Sequence, residues 1–149
     1  MKTIKKLALL AIACGIIFSI NSCGDDEPTI AFPEINLTEV GHDNSKHAHP
    51  GHDLHLEAEI VAEGLINGIH VEIEQVGGTY KIKQDYLEDS PYLGVKNCEF
   101  HEHIDIPANA PLGAYKLYLT VADKVGQQTT VESDLELEEG DDNDIDHEH

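Results

Sequence analysis

Residues 53–62, DLHLEAEIVA, alternate between apolar and polar side chains over their whole length. Alternation with a period of two is typical of a β-strand that buries one face and exposes the other. The polar phase holds His55, Glu57 and Glu59, which we expect to face solvent. The apolar phase, which we expect to face a core, comprises Leu54, Leu56, Ala58, Ile60 and Ala62. The stretch therefore predicts a half-buried antiparallel strand.

Six other stretches show the same alternation or are rich in β-branched and aromatic residues. Pro33 limits the first of them to the edge of a sheet, because proline cannot donate a backbone hydrogen bond. Seven short strands joined by turns predict an all-β fold, an antiparallel β-sandwich. The predicted strands, labelled A to G, are residues 30–37, 53–62, 69–75, 80–86, 98–106, 114–122 and 129–137.

The segment IPANAPLGAY, residues 106–115, resembles the corner that precedes the sixth strand of immunoglobulin-like domains. In those domains a Pro/Gly turn leads into an inward tyrosine whose hydroxyl bonds back to the corner. The resemblance implies an immunoglobulin-like β-sandwich over residues 30–137, with Tyr115 as the corner tyrosine. It also implies that strands B and E are antiparallel neighbours in one sheet.

The N-terminal 22 residues have the composition of a bacterial signal peptide. Three lysines precede the apolar run 7–20, which is too short to span a bilayer. Ser22-Cys23 resembles a lipobox, in which the cysteine is acylated and becomes the first mature residue. We expect a lipoprotein signal peptide over residues 1–22 and lipid attachment at Cys23; ordinary secretion with cleavage near Ser22 is the alternative.

An acidic tether, residues 23–29, follows the proposed cleavage point. Acidic residues at this position resemble the surface-export signal of Bacteroidota lipoproteins, although they would also serve as a plain hydrophilic linker. A multiply acylated cysteine anchors firmly, since each buried CH₂ contributes about 0.8 kcal/mol. We therefore expect a lipid-anchored protein of the outer membrane, and the export signal favours its outer face.

The acidic net charge of the chain argues against nucleic acids as partners. Residues 23–149 hold six lysines, no arginine and all 29 carboxylates of the chain, a formal charge of −23. Nucleic acids are not expected as partners, because binding them requires basic patches. A strongly acidic surface attracts cations instead. The last segment, residues 138–149, is predicted to be a disordered acidic tail that ends in His147-Glu148-His149.

Histidines concentrate in two places. Residues 42–55 contain five of the ten, and His101 and His103 flank Glu102 about fifty positions later. Neutral imidazole is a common protein ligand for zinc, copper and nickel, so both clusters suggest metal binding. The alternative for the first cluster is a polar, solvated loop.

Strand phase brings the two clusters together. His55 lies near the start of strand B, and His101 and His103 lie near the end of strand E, all in the outward phase. Opposed Cβ atoms on paired strands lie about 4.5–5.5 Å apart, so these imidazoles could share one cation. The A–B loop is expected to bring further ligands over the same end. The predicted metal ligands are His47, His49, His52, His55, His101 and His103, with Glu57 and Asp105 as second ligands or as acceptors for imidazole N–H groups.

Three other residues allow more than one interpretation. Cys98 is the one cysteine after Cys23, and we expect a small buried hydrophobe, with a soft metal ligand as the alternative. Glu102 falls in the apolar phase of strand E, which indicates either a bulge or an edge position. His70 is outward on strand C, in the other sheet, and is expected to be solvent-exposed.

Three motifs also resemble a family of Bacteroidota lipoproteins known as domain of unknown function 4625. They are GHDLHLE at residues 51–57, FHEHIDIP at 100–107 and PLGAY at 111–115. The resemblance covers most of residues 28–137. It implies an immunoglobulin-like fold and gives weight to the histidine motifs, but it implies no activity.

These observations predict a protein that captures or buffers zinc, or copper, at the outer membrane, with an outer-membrane transporter as a partner. Zinc is preferred because no methionine or thiolate set for Cu(I) is evident. An adhesion or glycan-binding module is the alternative, based on the fold alone. An enzyme is not expected. Copper–zinc superoxide dismutase shares the sandwich and an H-x-H strand, but this chain lacks a guiding arginine and a cysteine pair.

Overall fold

Eight strands and one 3₁₀ turn follow one another along residues 29–140, the part of the chain that the computed structural model describes. The elements are β1 (Glu34–Val40), the 3₁₀ turn (His42–Asn44), β2 (His47–Ala48), β3 (Asp53–Val61), β4 (Ile66–Gln75), β5 (Lys81–Tyr86), β6 (Asn97–Asp105), β7 (Gly113–Asp123) and β8 (Gln128–Leu137). The predicted signal peptide, the acyl site Cys23, the tether up to residue 28 and the tail histidines lie outside the described residues.

The strands form two sheets. The small sheet has the order β1-β3-β6, and the large sheet has the order β2-β8-β7-β4-β5. Neighbouring strands are antiparallel except β2 and β8, which are parallel. The predicted all-β sandwich is confirmed.

Side chains of the two inner faces form one core. Leu56 and Ile60 of the small sheet and Leu117 and Leu119 of the large sheet are at most 1% exposed. Full burial of such a side chain contributes about 1.5–3 kcal/mol. The inward phase predicted for residues 53–62 is confirmed, because alternate residues of a strand must point to opposite faces.

Tyr115 closes one corner of this core. Its ring is buried, and its hydroxyl donates a hydrogen bond of 2.7 Å to the carbonyl oxygen of Pro111. This is the contact that the resemblance to immunoglobulin-like domains implied.

The bounds of the first predicted strand need correction. The strand predicted at residues 30–37 begins after Pro33 and extends to Val40. Residues 80–86, predicted as strand D, form β5, which pairs with β4 in the large sheet. The reason is local: the turn between Gln75 and Lys81, which contains Gly77 at φ 72°, folds the chain directly back on β4.

The segment predicted as a free histidine loop contains a strand. After β1 the chain leaves the small sheet, and His47 and Ala48 pair with Glu136 and Leu137 at the edge of the large sheet. Ala48 is buried, so this crossing is packed against the core. The chain then returns to the small sheet at β3.

Within residues 29–140, no helix has the length and apolar character needed to cross a membrane.

Candidate metal site

Three imidazoles meet on the outer face of the small sheet. The register of β3 and β6 places His55 directly opposite His103 and Glu57 directly opposite His101. The three rings form a triangle: the centroid of His55 lies 4.7 Å from that of His101 and 5.1 Å from that of His103, and the last two are 5.6 Å apart. The outward phase predicted for these residues therefore brings all three side chains together. We call these three residues the histidine triad.

The triad is compact enough to hold one ion. One ring nitrogen from each of its members can be chosen so that all three lie within 4.8 Å of one another. Ligand atoms around a tetrahedral zinc lie about 3.3 Å apart, given bonds of about 2.0–2.1 Å. His101 and His103 are each 55% exposed, which leaves their side chains room to rotate towards that separation. His55, at 21%, is the fixed member.

A carboxylate lies beside one ring nitrogen of each imidazole. Glu57 Oε1 lies 3.2 Å from His55 Nε2 and 3.1 Å from His101 Nδ1. Asp53 forms a hydrogen bond with His103 Nδ1. A carboxylate at one ring nitrogen orients the imidazole and makes the other nitrogen a better ligand. Among the described residues, these carboxylate contacts involve only one nitrogen of each triad imidazole.

Two residues of this site were missed by the sequence prediction. Asp53 shares the outward phase of His55, so its phase could have identified it. Glu39 Oε1 lies 3.8 Å from His55 Nε2, and Glu39 forms a second close group with His55 and Glu57. A register shift between Leu37 and Glu39 places Glu39 opposite Glu57, and no sequence pattern predicts this shift.

The loop histidines face the triad across a cleft. His47 and His49, with His55 and His103, line a cleft of about 330 Å³. His47 Nδ1 lies 2.9 Å from a carboxylate oxygen of Glu138, and His49 Nδ1 donates to the Glu138 carbonyl over 3.0 Å. The pairing of β2 with β8 holds both residues on the large-sheet side. Among the described residues, they are outside the close group of ligand atoms.

His52 and Asp105 lie at the margin of the site. Both line an adjoining cleft with His103. Asp105 stands opposite Asp53 in the strand register, and Asp53 is the residue that contacts the His103 ring. Asp105 thus lies on the predicted face, but the carboxylate that contacts the imidazole of His103 is that of Asp53.

Cys98 and Glu102 point to the inner face of β6. Cys98 packs beside the core, and burial raises the pKa of its thiol. It is on the opposite side of the sheet from the triad, so a shared soft-ligand site with His101 does not fit. β3 and β6 pair without a register shift, and β6 is an edge strand, so the edge interpretation of Glu102 is correct. The Tyr92 hydroxyl donates a 2.7 Å hydrogen bond to its carboxylate.

His70 lies on the large sheet, away from the triad. Its Nδ1 is 2.8 Å from Asp85 Oδ1, across the β4–β5 pair. It therefore provides a natural internal control for an exposed histidine paired with a carboxylate.

Comparison with known proteins identifies the family. A family model described as Domain of unknown function (DUF4625) matches residues 21–138, most of the chain. The chain belongs to this family. The part matched to DUF4625 includes β1 to β8 and every residue of the triad.

None of the curated proteins matches this DUF4625 chain. Among solved structures, it is similar to the crystal structure of Spo0M, a sporulation control protein from Bacillus subtilis, with a TM-score of 0.47 and 9% sequence identity. The alignment covers 74% of this chain and 51% of the Spo0M chain, so this chain spans about half the length of that protein. Nothing about function follows from a similarity at this level.

Proposed function

We propose that this protein is a lipid-anchored metal-binding protein of the outer membrane that captures or buffers zinc, or copper, through the histidine triad. One observation carries the proposal: three imidazoles with nitrogens within 4.8 Å of one another on a rigid two-stranded platform. Sites built on strands are held more precisely than sites on loops, which favours specific binding over weak scavenging.

The carboxylates support the same proposal. Asp53 and Glu57 contact the triad and offer negative charge to balance a divalent cation. The loop histidines across the cleft provide a way for an ion to be handed to the triad from solvent. The anchor and an outer-membrane transporter as partner belong to this proposal through the resemblance of the N-terminus to Bacteroidota lipoproteins.

Ligand type favours zinc over Cu(I). Imidazole and carboxylate suit Zn²⁺ and Cu²⁺, whereas Cu(I) prefers thiolate and thioether ligands. The Cys98 thiol faces the interior rather than the triad. Binding is expected to weaken below about pH 6, because a protonated imidazole cannot bind a metal.

The tyrosines give less support to glycan binding. Sugar sites present an open aromatic face, and Tyr86 and Tyr92 pack against Phe100, each with its ring centroid 5.1 Å from that of Phe100. Tyr92 also uses its hydroxyl on Glu102. These contacts make the two rings part of the sandwich wall, and no observation favours the adhesion alternative.

Calorimetric titration tests the proposal. The purified full chain, stripped with a chelator, is titrated with Zn²⁺ and with Cu²⁺ at pH 7.5, and metal content before stripping is measured by mass spectrometry. The triple variant H55A/H101A/H103A is expected to lose tight binding. H47A/H49A/H52A is expected to keep it with reduced affinity, and H70A is expected to match the wild type.

Circular dichroism checks that each variant is folded. The proposal is wrong if the folded triad variant binds both ions as tightly as the wild type. Glycan-array binding that a chelator leaves unchanged, together with weak metal binding by the wild type, would support the adhesion alternative instead.

A further inference from the structure

The two ends of the sandwich differ in character. One end, which we call the histidine pole, holds the start of β3, the end of β6 and the loop histidines. At the other end the chain enters the domain at residue 29; we call it the entry pole. Hydrogen bonds tie this pole together: Ala62 to Lys96, Ile66 to Val95, and Gln127 to the carbonyl of Ile30.

Exposed apolar side chains collect at the entry pole. Of the eight large hydrophobic residues exposed within residues 29–140, six lie there or beside it. They come from separate loops and strand ends: Ile30, Phe32, Val61, Leu87, Val95 and Val125. Phe32 is the most exposed, at 63%. Apolar side chains grouped on a surface, rather than scattered singly, mark a contact with a partner or a membrane.

Lysines are present at the same pole. Lys96 and Lys124 are two of the six lysines that face 29 carboxylates in residues 23–149. The Lys124 ammonium lies beside Gly94, and Lys96 pairs loosely with Glu63 over 3.8 Å. Carboxylates lie at this pole too, among them Glu34, Glu63 and Glu88, so contact with a bilayer would depend on the apolar side chains rather than on net charge.

The short segment between Cys23 and residue 29 favours a lipid bilayer as the partner of this surface. Only six residue steps separate Cys23 from residue 29, and a fully extended chain of that length spans about 20 Å at most. A lipid on Cys23 would therefore hold the entry pole close to the bilayer. β7, with 11 residues, is about 36 Å long at 3.3 Å per residue, so the histidine pole would lie that much farther out.

We propose that the entry pole is a membrane-contact surface, which docks on phospholipid and orients the histidine pole away from the bilayer. The inference rests on the proposed acylation of Cys23, which sets the reach of the tether. Phe32 and Val125 are the side chains that enter the headgroup region. The docked orientation leaves the triad open to ions and to a partner protein.

Tryptophan fluorescence tests this orientation, because the chain contains no tryptophan. The full chain carrying F32W is purified from membranes and reconstituted into phosphatidylcholine vesicles with brominated acyl chains. Its emission is expected to shift to shorter wavelength and to lose intensity relative to non-brominated vesicles. V125W, on a different loop of the same pole, is expected to behave alike.

L112W is the matched control, because Leu112 is 48% exposed just before β7, at the histidine pole. It is expected to show neither change. Equal quenching of F32W, V125W and L112W, or none in any of them while the protein stays vesicle-bound, overturns the contact surface but leaves the anchor intact. Mass spectrometry of the N-terminal peptide tests acylation of Cys23 separately. An unacylated chain overturns both the lipid anchor and the membrane-contact surface.

Discussion

The outer faces of the two sheets both carry carboxylates but pair them differently. On the large sheet, apart from the His70–Asp85 pair, the partners are lysines: Lys83 Nζ lies 3.0 Å from Glu72, and Lys116 Nζ lies 2.7 Å from Asp134. The lysine contacts hold the pKa values of Glu72 and Asp134 below their ordinary range. An ammonium group that already contacts these carboxylates competes with a metal ion for them, so this part of the face has little to offer a metal ion.

On the small sheet the partners are histidines. None of its three strands contains lysine, and Glu57 and Asp53 contact imidazoles instead. An imidazole can turn one nitrogen to a carboxylate and the other to a cation, which an ammonium group cannot do. The choice of basic partner, rather than the number of carboxylates, separates a merely charged surface from a candidate metal site.

The two sheets should nevertheless contribute equally to the core. Leu56 on the small sheet and Leu117 on the large sheet are both fully buried. L56A and L117A are each expected to lower the free energy of unfolding by about 2–5 kcal/mol, since each leaves a cavity. Urea denaturation measures both. A much smaller loss for L56A would mean that the small sheet is loosely attached, and the platform for the triad would then be doubtful.

Replacing a triad histidine on the small sheet with lysine, the main basic partner on the large sheet, should abolish metal binding. In H55K the ammonium group can still pair with Glu57, so the fold is expected to persist. Zn²⁺ affinity is expected to fall by at least about 100-fold, more than the loss of an outer partner usually costs. H70K, the same change on the large sheet, is the control and should leave the calorimetric Kd unchanged. Retained binding in H55K would contradict the comparison.

Removing the carboxylate behind two of the imidazoles should have a smaller effect. E57Q keeps the shape of Glu57 but loses its charge, and Zn²⁺ affinity is expected to fall by about 10–100-fold. E132Q, at a carboxylate paired with Lys116 on the large sheet, should change nothing in the same titration. If E57Q binds more tightly than the wild type, Glu57 competes with the metal for its histidines.

The sequence predicted the triad because strand phase fixes the face on which a side chain lies. Once His55, His101 and His103 were assigned the outward phase of strands B and E, antiparallel pairing required them to meet. The positions of His47 and His49 could not be predicted in this way. They depend on β2, a two-residue strand that has no period of its own, and on its partner β8, ninety residues away.

Glu39 and β5 show the same limit. A one-residue shift in the register of β1 moves Glu39 beside Glu57, and such shifts leave no reliable trace in composition. The partner of β5 could not be predicted from its residues, because their alternation says which face is buried, not which strand lies beside it. Phase is local information, whereas pairing is decided by the whole chain.

The smallest expected effect concerns Tyr92, whose hydroxyl donates a hydrogen bond to the Glu102 carboxylate. Burial, and then the hydrogen bond to Glu102, raise the pKa of Tyr92 from 10.0 to about 12. The folded protein thus keeps this proton at a pH where the unfolded chain loses it. The contribution of Tyr92 to stability should be complete below pH 10 and should disappear as the pH rises to about 12.

Urea denaturation at pH 8, 10 and 11 measures this effect. Y92F should be less stable than the wild type by about 1 kcal/mol at pH 8, because it loses one hydrogen bond. It should also lose less stability than the wild type between pH 10 and 11. Parallel curves for the two proteins over that interval would show that Tyr92 does not carry the alkaline transition.

The parallel pairing of β2 with β8 has a mechanical consequence. The chain enters the domain at one end and leaves β8 at the other, so tension between the two termini pulls along the strands. In a parallel pair such tension shears the backbone hydrogen bonds together, including Glu136 N–H to the Lys46 carbonyl and Glu138 N–H to the Ala48 carbonyl. Force applied between the two ends of the domain would be resisted at this clamp, next to the loop histidines.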